Sequence, residues 1–118
     1  APAETLADSI SVGEPRNAAK ALRAVRASGG GMLAVSDGAI LEAIRDLAAR
    51  SGVFAEPAAA APLAGLRRAL EEGGVGPEDT LVHVVTGSGL KDIKAAMRVA
   101  PQPRRIAPTI DAVREVLR

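Results

Sequence analysis

Thr80-Leu81-Val82-His83-Val84-Val85-Thr86-Gly87-Ser88-Gly89 is the stretch on which the fold turns. Leu81, Val82, Val84 and Val85 are nearly continuous apolar residues, the pattern of a strand covered on both faces rather than on one. Gly87 and Gly89 end it in a turn. The spacing therefore predicts a central strand that delivers Thr86, Gly87 and Ser88 to its carboxyl end. In open parallel sheets that end is where ligands gather. Alternation sets His83 on the face opposite Val84 and Thr86, which suits a packed or hydrogen-bonded histidine.

Outward from this strand the chain alternates helix and extended signals. Ala18, Ala21, Leu22 and Val25 fall three and four apart between Arg16 and Ser28, so an amphipathic helix is expected there, preceded by Pro15 and stopped by Gly29-Gly30-Gly31. Met32-Leu33-Ala34-Val35 reads as a buried strand. Ile40, Ile44, Leu47 and Ala48 then mark a second helix, with the Asp37 side chain expected to cap its first turn. Ser51-Gly52 closes that helix and Val53-Phe54-Ala55 is a short buried strand. Pro57 suits the first turn of a third helix, whose buried stripe is expected to be Leu63, Leu66 and Leu70, with a kink near Pro62. Val99-Ala100-Pro101-Gln102-Pro103 reads as an extended linker. A last helix is capped by Thr109 and buries Ile110, Val113 and Leu117. The order predicts an α/β fold, a parallel sheet with crossover helices, in one compact unit. Residues 1–97 form its main part and residues 98–118 a proline-rich linker with a C-terminal helix.

Composition narrows the function. The 118 residues hold 15 Lys plus Arg against 14 Asp plus Glu, a net charge of +1, and Phe54 is the one aromatic residue. Neither a basic stripe nor stacking platforms are there for a nucleic acid. No cysteine exists for a disulfide, a thiolate metal site or a Cys nucleophile, and the single His83 cannot build a histidine cluster. No apolar run approaches the ~20 residues that cross a bilayer. The expectation is a cytoplasmic protein without nucleic-acid or membrane partners. Because the sequence opens at Ala1 without Met, it is read as a cut or partial chain.

Four residues are candidates for a site. The glycines around Ser88 let backbone approach a ligand closely, and Thr86 and Ser88 supply hydroxyls that donate or accept. Glu56 stands at a helix N-terminus, where the dipole favours its ionised form; a capping role accounts for it as well. The half-match to a dinucleotide fingerprint fails at Asp92, where the third glycine would stand. Lys20, Lys91 and Lys94 are the only lysines; Lys20 and Lys91 read as solvated or ion-paired, and none is expected to be a nucleophile. Arg98, Arg104, Arg105, Arg114 and Arg118 read as a solvated basic tail.

Four blocks in order carry a resemblance: Ile10-Ser11-Val12-Gly13-Glu14-Pro15-Arg16-Asn17, Val35-Ser36-Asp37, Val53-Phe54-Ala55-Glu56-Pro57-Ala58 and Thr86-Gly87-Ser88-Gly89-Leu90-Lys91-Asp92. From about Glu4 to Met97 the chain resembles the carboxy-terminal part of the threonine synthases, within the tryptophan-synthase-β-like, fold-type II family of pyridoxal-phosphate enzymes. The resemblance implies pyridoxal 5'-phosphate as cofactor and a lyase reaction in which O-phospho-L-homoserine and water give L-threonine and phosphate. It implies that Thr86 hydrogen-bonds the pyridine nitrogen, that Gly87, Ser88 and Glu56 line the cofactor pocket, and that Ser11 to Gly13 form a wall against the ring. A neutral hydroxyl there moderates the electron sink, whereas a carboxylate would favour a pyridinium. The family's Schiff-base lysine, its ring-hydroxyl asparagine and its phosphate-binding glycine loop belong to a preceding region absent from this chain. The chain alone is therefore expected to be inactive, with the missing amino-terminal portion and a second copy as partners. Two other readings stand beside this one: a threonine dehydratase or other β- or γ-replacing lyase, and a non-catalytic α/β module that self-associates.

Overall fold

Helices α1 (Ala18–Ala27), α2 (Asp37–Ser51), α3 (Pro57–Glu71), α4 (Ile93–Val99) and α5 (Ile110–Val116), with single 3-10 turns at Asp8–Ile10 and Gly89–Lys91, make up the regular structure of residues 3–118 described by the computed structural model. α2 begins where Ser36, in extended backbone, accepts the Ala39 amide at 3.2 Å. It ends at Gly52, whose φ of 72° is the left-handed conformation that closes a helix without a Cβ penalty. Pro57 occupies the first turn of α3, where no amide proton is needed, and Pro62 is accommodated inside that helix. Thr109 caps α5 through the Ala112 amide at 3.3 Å, as the sequence predicts.

The core is one small cluster where α2 lies on α3. Ile40, Ala43 and Ile44 recur at helical spacing and bury against Ala59, Ala60 and Ala64, with Ala7, Ala55 and Val99 completing it. α3 thus buries its alanine face rather than the Leu63, Leu66 and Leu70 stripe. Leu63 packs at the edge of the cluster and Leu70 is 46% exposed. Small side chains let the two helix backbones approach, and that contact decides which face is covered. α4 is fastened to the pair by Arg45 of α2, which donates from Nε to the Val99 carbonyl and from Nη2 to the Arg98 carbonyl, each at 3.2 Å. These are carbonyls that a helix end leaves without partners. Arg67 of α3 pairs with Asp46 of α2 across the interface.

The parallel sheet does not form. Among the described residues there is no strand, and the pairing recorded is a single antiparallel bridge between Ala55 and Ser88. Met32–Val35 and Leu81–Val85 are extended but unpaired, with Val82 86% and Val84 65% exposed. A helix satisfies its backbone within itself, whereas a strand needs at least one paired neighbour, and among the described residues these segments have none. The single compact unit expected from composition is absent for the same reason. The radius of gyration is 18.5 Å, against roughly 13 Å for a compact domain of this length. α1 forms as predicted, but its apolar stripe is not covered: Leu22 is 44% exposed. Among the described residues no helix is long and apolar enough to cross a membrane.

Candidate functional site

The Ala55–Ser88 bridge builds the site. The Glu56 amide donates to the Gly87 carbonyl at 3.0 Å and the Gly89 amide to the Phe54 carbonyl at 2.9 Å, so the short segment before α3 is stitched to the glycine turn after the Leu81–Val85 run. Both glycines are required by close approach. A Cβ on Gly87 would collide with the Glu56 carboxylate, and one on Gly89 would lie 2.7 Å from the Phe54 ring. Glu56, Gly87 and Ser88, separated by about thirty positions in sequence, are therefore in contact or bonded through backbone.

Each predicted residue has a definite place. Glu56 is half-buried, takes the N-cap position of α3 and makes no side-chain cap hydrogen bond, which leaves its carboxylate to the space over Gly87. Ser88 is exposed, and its hydroxyl accepts the Leu90 amide at 3.3 Å, which starts the 3-10 turn Gly89–Lys91. Thr86 is exposed, and among the described residues its hydroxyl has no partner. His83 is half-buried, with Nε2 2.7 Å from the Ala59 carbonyl, the hydrogen-bonded histidine that alternation predicts.

Beside the bridge lies a cavity of about 680 Å³. Three segments line it: Leu6, Asp8 and Ser9 from the amino-terminal turn, Glu56 to Ala58 from the start of α3, and Lys91, Asp92, Lys94, Ala95 and Arg98 from the second 3-10 turn and α4. Thr86, Gly87 and Ser88 do not line it. The sequence reading took Lys91 as solvated or ion-paired, gave Lys94 no placement and put Arg98 in a basic tail. Their spacing of three and four, on consecutive helical turns, is the signal that would have grouped them. Asp92 accepts the Ala95 amide at 2.9 Å and caps α4, while the ion pairs described lie elsewhere, at Arg67–Asp46, Arg68–Glu72 and Arg114–Asp111. Acids and bases thus share one cavity wall, and among the described residues no ion pair joins them. No group of three or more His, Cys, Asp or Glu among the described residues could hold a metal ion.

Asp37 has a different role from the expected cap. Ser36 caps α2, and the Asp37 carboxylate reaches outward instead: Thr5 donates from Oγ1 at 2.6 Å and Leu6 from its amide at 3.0 Å. The Thr5 hydroxyl first, then the Leu6 amide, hold this carboxyl below the usual carboxylate range.

At the bridge the exposed Thr86 hydroxyl, without a partner among the described residues, stands beside Gly87, whose backbone the Glu56 carboxylate approaches closely. A family profile described as "Pyridoxal-phosphate dependent enzyme" matches residues 1–87, most of the chain. The chain belongs to the pyridoxal-phosphate dependent enzyme family. Among curated members, the threonine synthase of Methanocaldococcus jannaschii is 43% identical over 115 residues, which is 98% of this chain and 28% of that protein. The threonine synthase of Methanosarcina acetivorans is 44% identical over 114 residues, 97% of this chain and 28% of its own length. That of Synechocystis is 48% identical over 95 residues, 80% of this chain and 24% of its own. The two archaeal alignments extend into the proline-linked tail after Val99, which the quoted motifs do not reach. The chain spans 28% of the length of these two archaeal relatives.

Proposed function

We propose that this chain is a segment of a pyridoxal-phosphate lyase of the threonine synthase kind, converting O-phospho-L-homoserine and water to L-threonine and phosphate. The observation that carries the reading is identity above 40% along nearly the whole chain with proteins of that name. The contact of Glu56 with Gly87 supports it from the structural side. When bound, pyridoxal phosphate supplies an electron sink for the amino-acid substrate. Thr86 would donate its hydroxyl to the ring nitrogen. Gly87 and Gly89 let Glu56 and Phe54 close on the turn that carries Thr86, and Ser88 fixes that turn through Leu90. Glu56 closes the pocket over Gly87.

On this reading Met32–Val35, Val53–Ala55 and Leu81–Val85 are strands of the enzyme's parallel sheet, paired with strands from the rest of the polypeptide. The Schiff-base lysine and phosphate loop are contributed from outside this chain, so the 118 residues are inactive alone. A cytoplasmic location and assembly into a homo-oligomer belong to the same proposal. The test is Thr86→Val in the complete enzyme. We expect cofactor to remain bound with an altered absorption band and kcat to fall by about 10²-fold, the scale of a single catalytic donor. Unchanged absorption and turnover would reject the role of Thr86.

A further inference from the structure

Asp37 and the cavity beside the bridge are linked by a short rigid path. Because Ser36 takes the cap, both carboxylate oxygens of Asp37 are available, and each accepts a different donor: Oδ1 the Thr5 hydroxyl at 2.6 Å, Oδ2 the Leu6 amide at 3.0 Å. The Thr5 hydroxyl in turn accepts the Ala7 amide at 3.2 Å. Ala7 is fully buried in the α2–α3 cluster. The next three residues form the 3-10 turn, closed by the Ile10 amide on the Ala7 carbonyl and the Ser11 amide on the Asp8 carbonyl, both at 3.0 Å. Leu6, Asp8 and Ser9 of this run line the charged cavity. Two hydrogen bonds and one buried methyl group thus fix three residues in a row immediately before the side chains that face the ligand space. Asp37 also lies in the first turn of α2, where its charge suits the helix dipole, but both of its oxygens bond a segment more than thirty positions away.

We propose that Asp37 is a positioning residue: by clamping Thr5 and Leu6 it holds Leu6, Asp8 and Ser9 as the wall of the cavity against which the amino-acid substrate binds. The proposal rests on the pyridoxal-phosphate lyase reading for the identity of that ligand, but the clamp itself does not. Asp37 touches neither cavity nor ligand and acts through the backbone it holds.

The test uses the complete enzyme with Asp37→Ala, Asp37→Asn and Thr5→Val. Asp37→Ala is expected to speed amide exchange across residues 5–10 about tenfold and to raise KM for the amino-acid substrate by a similar factor with kcat within about twofold, the signature of lost uniform binding. Asp37→Asn keeps one oxygen for the Leu6 amide and falls between. Thr5→Val removes one bond and leaves Asp37, so it gives the smaller change of the same kind and decides the matter if Asp37→Ala does not fold. Unchanged exchange at residues 5–10 overturns the clamp; faster exchange with unchanged KM overturns its positioning role. Absence of cofactor absorbance in the unsubstituted enzyme counts instead against the lyase reading, and exchange at residues 5–10 still decides the clamp.

Discussion

The Leu81–Val85 segment is more apolar than the α2–α3 pair, yet the pair is packed and the segment bare. Ile44 is 1% exposed, whereas Val84, in a run of stronger hydrophobic character, is 65% exposed. The difference is where each finds its hydrogen bonds. α2 and α3 close their own backbones and need only each other to cover one face, so a helical pair forms wherever both members are present. An extended run such as Leu81–Val85 has no such internal bonds and stays bare where no partner strand lies beside it. Local hydrogen bonding thus separates the two regions.

The largest test of that contrast is to cut side chains on both sides of it. Ile44→Ala should destabilise the chain by about 2–5 kcal/mol, the range for a large core side chain reduced to methyl. Val84→Ala in the same chain should stay within about 0.5 kcal/mol, since it leaves water on both sides of the change. Denaturant midpoints compare the two, and equal losses would mean that Leu81–Val85 is packed after all.

Gly89→Ala comes next. The added Cβ would lie 2.7 Å from the Phe54 ring, so the ring must turn or the bridge must open. A loss of about 1–3 kcal/mol is expected, as for other overpacked sites, with faster exchange of the Glu56 and Gly89 amides that form the bridge. Full protection of those amides would show that the turn is not held by this contact. Arg45→Ala has a smaller effect, about 1 kcal/mol, the scale of its hydrogen bonds to the Val99 and Arg98 carbonyls at the end of α4. Helical circular dichroism should fall by roughly the one short helix it anchors.

Acidification gives the smallest effect and sharpens the role of Asp37. Its folded pKa lies below the unfolded value, so the carboxylate contributes stability above the unfolded value of about 3.9, lost as pH falls through the folded value. Asp37→Asn, which cannot titrate, should flatten stability across that acidic window and leave it flat near neutral pH. A wild-type curve already flat below pH 4 would contradict the clamp.

Much of this could be read in the residues. Pro57, Gly52 and Thr109 signal helix ends through backbone rules that act within a few positions, and α3, α2 and α5 begin or end where those residues stand. Glu56 and the Gly87–Ser88 turn were grouped by the family resemblance and by no local signal; the structure joins them through an antiparallel bridge. What escaped depends on distance in sequence. Nothing local distinguishes a first-turn aspartate that caps its helix from one that reaches Thr5, and Ser36 beside it could take either task. The buried face of α3 was misread because Leu63, Leu66 and Leu70 are the larger side chains, while the neighbour selects the alanines. Lys91, Lys94 and Arg98 become a group only once α4 is folded against α2.

The central claim is that the extended segments are sheet strands waiting for the rest of the enzyme, and that their pairing brings Thr86 to the cofactor. Amide exchange across Leu81–Val85, measured in the 118-residue chain and in the complete cofactor-loaded enzyme, tests it most directly. The account predicts near-random-coil exchange in the chain and slowing by at least about 10³-fold in the enzyme, as for core strands. Equal protection in both, or none in either, would contradict it.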